Sequence, residues 1–282
     1  MKSSPQPMKL FFALAFSCTS LLGSLTPVLA KPALPASGHS LSKPLSNKTA
    51  VAQTTRFNAP PPPPGPPPGG RVLGGASRGN KQTVCPDIKP ALTTLSPFTE
   101  KIDSVTTVKL TNVWGLTTLE HPTWLFYMPY TKDSGYSTEF ELQNLKRKTI
   151  YQKEITLPQQ SGLIRVSLPN DAPRLAVGEQ YRWYLKVSCD QKQQSPPTYV
   201  EGVIQRVNLN QADTQKLQTA TPLQKFAIYA QNGIWYEALA TLAEIRQKNP
   251  QNVAIQTEWQ NFLANFPQFN TVAAAPIVSG KP

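Results

Sequence analysis

Between Tyr181 and Cys189 apolar and polar side chains alternate without a break. Tyr181, Trp183, Leu185, Val187 and Cys189 fall on one parity, and Arg182, Tyr184, Lys186 and Ser188 on the other. Successive side chains of an extended chain point to opposite faces, so this run can bury its apolar set only as a strand with one covered face. It predicts a half-buried strand with Cys189 inward. The same period returns in Ile164, Val166 and Leu168 against Leu163, Arg165 and Ser167, and in Phe140 and Leu142 against Glu139, Glu141 and Gln143. It returns again in Val108 and Leu110 against Thr107, Lys109 and Thr111. Thr123–Met128 is apolar almost throughout and predicts a central strand covered on both sides. Thr198–Val207 supplies a last strand. Turn signals separate these runs at Asp133-Ser134-Gly135, Pro158–Gly162, Pro169–Pro173 and Gln191–Pro197. Short strands at this spacing predict a mainly β antiparallel sandwich over residues 85–209.

Leu175 stands six residues before Tyr181, ahead of the alternating strand. The spacing resembles the tyrosine corner of immunoglobulin-like and fibronectin-like sandwiches, in which the phenol bonds back to the preceding backbone. Cys85, however, precedes the first strand of the pattern. A bridge between two core strands is therefore not implied, and Cys189 would pin the segment that enters the domain.

From Thr221 the period becomes helical. Thr221-Pro222-Leu223-Gln224 joins a capping threonine, a proline at the first helical position and a glutamine at the capping-box position. Leu223, Phe226, Ala227 and Ala230 follow on one face, and Asn232-Gly233 ends the segment. Trp235, Ala238, Leu239 and Leu242 give a second helix before Asn249-Pro250, and Ile255, Trp259, Phe262, Leu263 and Phe266 a third. Tyr229…Gly233…Ala238…Pro250 resembles one tetratricopeptide unit. With no second copy, a helical appendage over 210–268 is expected, because a solenoid needs several stacked repeats. Residues 269–282 are expected to form a disordered tail.

All sixteen acidic residues lie at or beyond Asp87, so the formal charge of +12 belongs largely to the N-terminal segment. Lys2 and Lys9 precede the apolar run Leu10–Leu25, and Val28-Leu29-Ala30 offers small residues for cleavage, the pattern of a signal peptide over 1–30. Residues 31–84 read as a disordered basic linker containing Pro60–Pro64 and Pro66–Pro68, a semi-rigid spacer. The glycines between Gly65 and Gly79 lack the Gly-Lys-Ser/Thr ending of a phosphate loop. Export removes the chain from nucleic acid, so the charge points to solvation of the spacer or to anionic envelope polymers and headgroups. Cleavage discards Cys18 and leaves Cys85 and Cys189, which an oxidising compartment would pair; two buried free thiols are the alternative. A bridge closing about a hundred residues restricts the unfolded chain by up to about 4.7 kcal/mol.

Several of these residues together resemble a cyanobacterial exported family, domain of unknown function 928. They are the Gly-rich Arg71–Gly79, Cys85-Pro86, Leu92–Leu95, Trp114-Gly115-Leu116-Thr117, Pro122–Pro129, Gly162–Pro169, Leu175–Asp190 and Gly202–Val207. The likeness runs from about Phe57 to Phe266. It implies an envelope or secreted location and brings no active site with it.

His121 is the one histidine of the predicted folded part, and no Gly-x-Ser-x-Gly elbow accompanies it, so its expected role is in a turn before Pro122. Glu139 and Glu141 share the wet face of their strand as solvated charges. With two histidines and three cysteines, no catalytic, cofactor or metal residues are expected. Aromatic side chains on or beside the strands are the candidate binding residues: Trp114, Tyr127 and Tyr184. The chain reads as an exported, periplasmic or extracellular, non-catalytic interaction module without a transmembrane helix once mature. Its expected partner is an envelope protein or polysaccharide. The alternatives are a hydrolase acting on envelope polymers, or a secretion or assembly accessory using its C-terminal helices.

Overall fold

A computed structural model describes residues 55–63, 68–75, 85–102, 107–190 and 195–278. The expected signal peptide and most of the expected linker lie outside the described residues. Among the described residues ten strands come first: β1 (Arg71–Gly75), β2 (Thr93–Thr94), β3 (Phe98–Ile102), β4 (Lys109–Thr117), β5 (Thr123–Met128), β6 (Ser137–Asn144), β7 (Thr149–Glu154), β8 (Gly162–Ser167), β9 (Gln180–Ser188) and β10 (Thr198–Arg206). Four α-helices follow among the described residues: α1 (Gln211–Thr219), α2 (Pro222–Gln231), α3 (Trp235–Lys248) and α4 (Val253–Leu263).

The strands pair continuously in the order β7-β6-β9-β10-β1-β2-β5-β8, all antiparallel along this path. β10 shares its second edge. Residues 199–201 take β1, and Val203–Arg206 take β4 in parallel, with β3 paired beyond it. The sheet curls until β5 faces β6 and β9: the Trp124 ring lies 4.8 Å from Phe140, and Phe126 lies 5.6 Å from Trp183. β9 alternates as its sequence requires, with Tyr181, Trp183, Leu185 and Val187 buried. Ala176 N–H donates to the Tyr181 hydroxyl at 3.0 Å, which ties the loop before β9 to the start of that strand. Cys85 and Cys189 form a disulfide that fastens the segment before β2 to the end of β9.

Helix α3 packs against β5. Trp124 also meets Tyr236 of α3 at 5.8 Å, Trp183 Nε1–H donates to the Tyr236 hydroxyl at 3.2 Å, and Trp235 Nε1–H donates to the Leu95 carbonyl at 2.6 Å. The capping box of α2 forms as expected, Gln224 N–H to Thr221 Oγ1 and Thr221 N–H to Gln224 Oε1. α1, capped by Asn210 and burying no side chain, adds a helix to the three expected. Its apolar content is too thin for a periodic signal.

Three expectations need correction. The linker does not extend unbroken to residue 84. β1 inserts between β10 and β2 and so joins the two halves of the sheet. Phe57 is buried against Trp235 at 4.8 Å and Phe262 at 6.1 Å, while Asn58 N–H bonds the Ala230 carbonyl. Gly233 permits that approach: it has φ 71°, and a Cβ there would stand 2.8 Å from the Asn58 carbonyl. Nor is the C-terminus a free tail. Phe269, Val272, Ala273 and Val278 are buried, and 276–278 zips the edge of β8 through Leu163 N–H to Pro276 O and Val278 N–H to Leu163 O. An open strand edge carries unpaired peptide groups, and this apolar segment satisfies them. It also buries Leu163, whose parity alone placed it outside. Finally, Leu110 is 44% exposed, because β3 and the first half of β4 run past the packed body as a two-stranded arm.

Candidate functional site

The outer face of β6, β9 and β10 gathers the polar parity of three strands. Register sets Glu141 beside Tyr184 and Tyr184 beside Glu201; it also sets Glu139 beside Lys186 and Lys186 beside Tyr199. Tyr184 and Tyr199 are diagonal neighbours with ring centroids 6.4 Å apart. Each ring carries a cation: the Arg71 guanidinium lies 4.7 Å from the Tyr199 centroid, and Lys186 Nζ 5.5 Å from that of Tyr184. Arg182 reaches across to Glu201 at 3.6 Å and donates to the Pro68 carbonyl. Seven of these side chains are half-buried, and Glu141 is buried.

Glu141 anchors this face from below. Burial pushes its carboxyl up, but hydrogen bonds from Lys186, Thr149 and Gln143 outweigh that and hold it below the ordinary carboxylate value. Glu139 adds a second, looser contact to Lys186 at 3.5 Å. Burial first, and then the Glu201 charge, push the Tyr184 hydroxyl up to about 12, so it stays a neutral donor at physiological pH. Beyond the cations the strip ends in a polar hollow of about 380 Å³ lined by Ser137, Glu139, Glu154, Lys186, Ser188 and Ser195.

The expected binding residues separate. Tyr184 faces outward, whereas Trp114 and Tyr127 are 6% and 7% exposed and belong to the packed interior. For Trp114 the reason is the parallel pairing of β4 with β10, opposite Val203; for Tyr127 it is the position of β5 between β2 and β8. Glu141 is also corrected, from a solvated charge to a buried partner of Lys186. Sequence parity put it on the right face but could not show the lysine and threonine that converge on it. Arg71 was missed as a site residue because it lies in the Gly-rich stretch, where no periodicity marks a strand.

His121 donates through Nε2 to the Ala172 carbonyl at 3.0 Å, a turn contact. Among the described residues, no three of His, Cys, Asp and Glu converge as a metal ion would require. In that same set no helix is long and apolar enough to cross a membrane. Glu237, on the first turn of α3, carried no sequence signal. Its carboxylate is buried, accepts the Thr117 hydroxyl and the Thr118 N–H, and is pushed up to about 7 by burial, against the pull of those hydrogen bonds. A hollow of about 370 Å³ lies among α2, α3 and α4, lined by Leu223, Thr241, Ile245, Lys248 and their neighbours.

These features define a class: a curled, mainly antiparallel β body carrying four C-terminal helices, with an aromatic and ionic outer face. The chain belongs to the family described as Domain of Unknown Function (DUF928), whose model matches residues 73–277. No curated protein matches it. A solved structure, "The Crystal Structure of Parabacteroides merdae Beta-Glucuronidase (GUS) with Glycerol in Active-Site", is similar at 10% identity and a TM-score of 0.21. That match covers 63% of this chain and 28% of the glucuronidase chain, and at this similarity it carries no argument.

Proposed function

We propose that this protein is an exported, non-catalytic binding module of the cell envelope, whose partner lies across the outer face of β6, β9 and β10. The observation that carries this reading is the Tyr184–Tyr199 pair with a cation over each ring. Such rings offer flat apolar area edged by donors and acceptors, which suits a polysaccharide or an extended peptide stacked along the strip. Arg71 and Lys186 fix the ring positions, so less ordering accompanies binding. The Cys85–Cys189 bridge fits an oxidising compartment, and the apolar run before Ala30 fits cleavage on export to a periplasmic or extracellular site. The body is read as a relative of the immunoglobulin-like sandwich, on the strength of the Ala176–Tyr181 hydrogen bond and the two sheet halves packed through Trp124 and Phe126.

Retention of envelope polysaccharide and protein on immobilised protein tests the reading. Tyr184→Ala with Tyr199→Ala should lose what the wild type retains while unfolding at a similar temperature. Undiminished retention by the folded double variant would remove the strip as the site. A second reading, an assembly accessory that grips a client with tetratricopeptide-like helices, is favoured by the hollow among α2, α3 and α4. In that case Leu223→Asp would abolish capture and the tyrosine variants would not.

A further inference from the structure

Three loops meet at one end of the sheet. Asn144 ends β6 and pairs with Tyr181 at the start of β9, and Tyr181 pairs with Ile204 near the end of β10. Arg206 closes β10 beside Thr117 of β4, and its carbonyl accepts the Gly178 N–H at 2.7 Å. The β6–β7 turn, the loop before β9 and the loop after β4 therefore share this end. Each raises one large apolar side chain into water: Leu145 is 62% exposed, Val177 47% and Leu119 46%. Beside Leu145 stand Lys146, Arg147 and Lys148, all exposed and without an ion pair among the described residues. Of the acids at this end, Glu120 is held by Arg206 at 3.3 Å and Arg174 at 3.2 Å, which leaves Asp171 and Glu179 on the surface against the cationic triplet.

The turn is built rather than loose. Asn144 Oδ1 accepts the N–H groups of Lys146 and Lys148 at 3.0 and 3.1 Å, and the Arg147 N–H donates to the Asn144 carbonyl at 2.9 Å. Arg147 sits at φ 60°, in the left-handed region where glycine is the ordinary residue and a side chain costs about 1 kcal/mol. The turn therefore carries a cation at a backbone position that favours glycine.

We propose that this end of the sheet docks on an anionic lipid surface. Leu145, Val177 and Leu119 enter the headgroup boundary, and Lys146, Arg147 and Lys148 meet the phosphates. The juxtaposition of three apolar tips with a cationic triplet is what distinguishes a lipid interface from a soluble polyanion, which would use the cations alone.

The test is flotation of the full chain with phosphatidylcholine vesicles, with and without phosphatidylglycerol, beside binding to soluble polyphosphate. Residues 1–84 are basic and lack acids, so every comparison is made within the same full-length chain. Lys146→Gln with Arg147→Gly and Lys148→Gln should weaken partition onto anionic vesicles on the order of 100-fold, from three cations near the surface. Glycine suits φ 60°, so this variant keeps its fold, which thermal unfolding confirms. Leu145→Ser should weaken vesicle binding about tenfold and leave polyphosphate binding unchanged. Two results would overturn the proposal. One is vesicle binding retained by the triple variant, which would place all attraction in the N-terminal segment. The other is an unchanged vesicle affinity for Leu145→Ser, which would mark a polyanion site instead.

Discussion

Replacing Glu237 by glutamine isolates one buried carboxyl at the junction of the sheet with the helices. The carboxyl titrates at about 7 instead of the ordinary 4.5, with desolvation as the cause. Below 4.5 both the folded and the unfolded chain hold the proton, and the site costs nothing in charge. Between the two values the unfolded chain releases the proton and the folded chain keeps it, so stability falls as pH rises, and it levels off once the folded carboxyl has also ionised. A carboxyl moved from 4.5 to about 7 corresponds to about 3 kcal/mol between the two ends of that window. For a body of this size, that is roughly 6–12 °C in Tm. Glutamine keeps an acceptor for the Thr117 hydroxyl and carries no charge. The measurement is urea unfolding followed by tryptophan fluorescence from pH 4 to pH 8.5, for wild type and Glu237→Gln. The difference between the curves is the informative quantity, because Glu141 has the opposite sign: its lowered value adds stability that is lost as pH falls. Glu237→Gln should gain about 3 kcal/mol on wild type as pH rises through the window. Parallel curves would show that the Glu237 carboxyl ionises in the folded chain as readily as in water, and the desolvation argument would fail.

Two further outcomes test the packing. Phe57→Ala should cost about 3–5 kcal/mol and free the segment from Thr55 to Pro63 to proteolysis, since the ring fills a site among Trp235, Phe262 and Phe266; a loss under 1 kcal/mol would show that this segment does not belong to the body. Cys85→Ser with Cys189→Ser should lower stability by roughly 2–5 kcal/mol, read as a shift in urea midpoint, while an unreduced mature protein, without Cys18, that accepts two alkylating groups would show that the bridge is absent.

Local pattern carried a good part of the outcome. β9 appears where Tyr181–Cys189 alternates, β5 is buried on both sides where Thr123–Met128 is apolar, and α2 begins at Thr221 with its capping box closed. The cysteine pairing followed from there being two in the expected mature chain. The candidate face was half legible. Parity placed Tyr184, Lys186, Glu139 and Glu141 outward, but Tyr199 and Arg71 joined them through the pairing of β10 with β9 and β1.

What period and capping chemistry determine is which way a side chain points within its own element, because backbone geometry sets that over a few residues. Which neighbour covers it depends on contacts between residues a hundred or more apart, and only the tertiary structure decided those. Phe57 looks like linker until Trp235 and Phe262 enclose it, and Ile277 looks like tail until Leu163 offers an unpaired strand edge. Trp114 and Tyr127 look like binding residues until β10, β2 and β8 close over their strands. Glu237 looks like any helical surface acid until the end of β4 removes it from water.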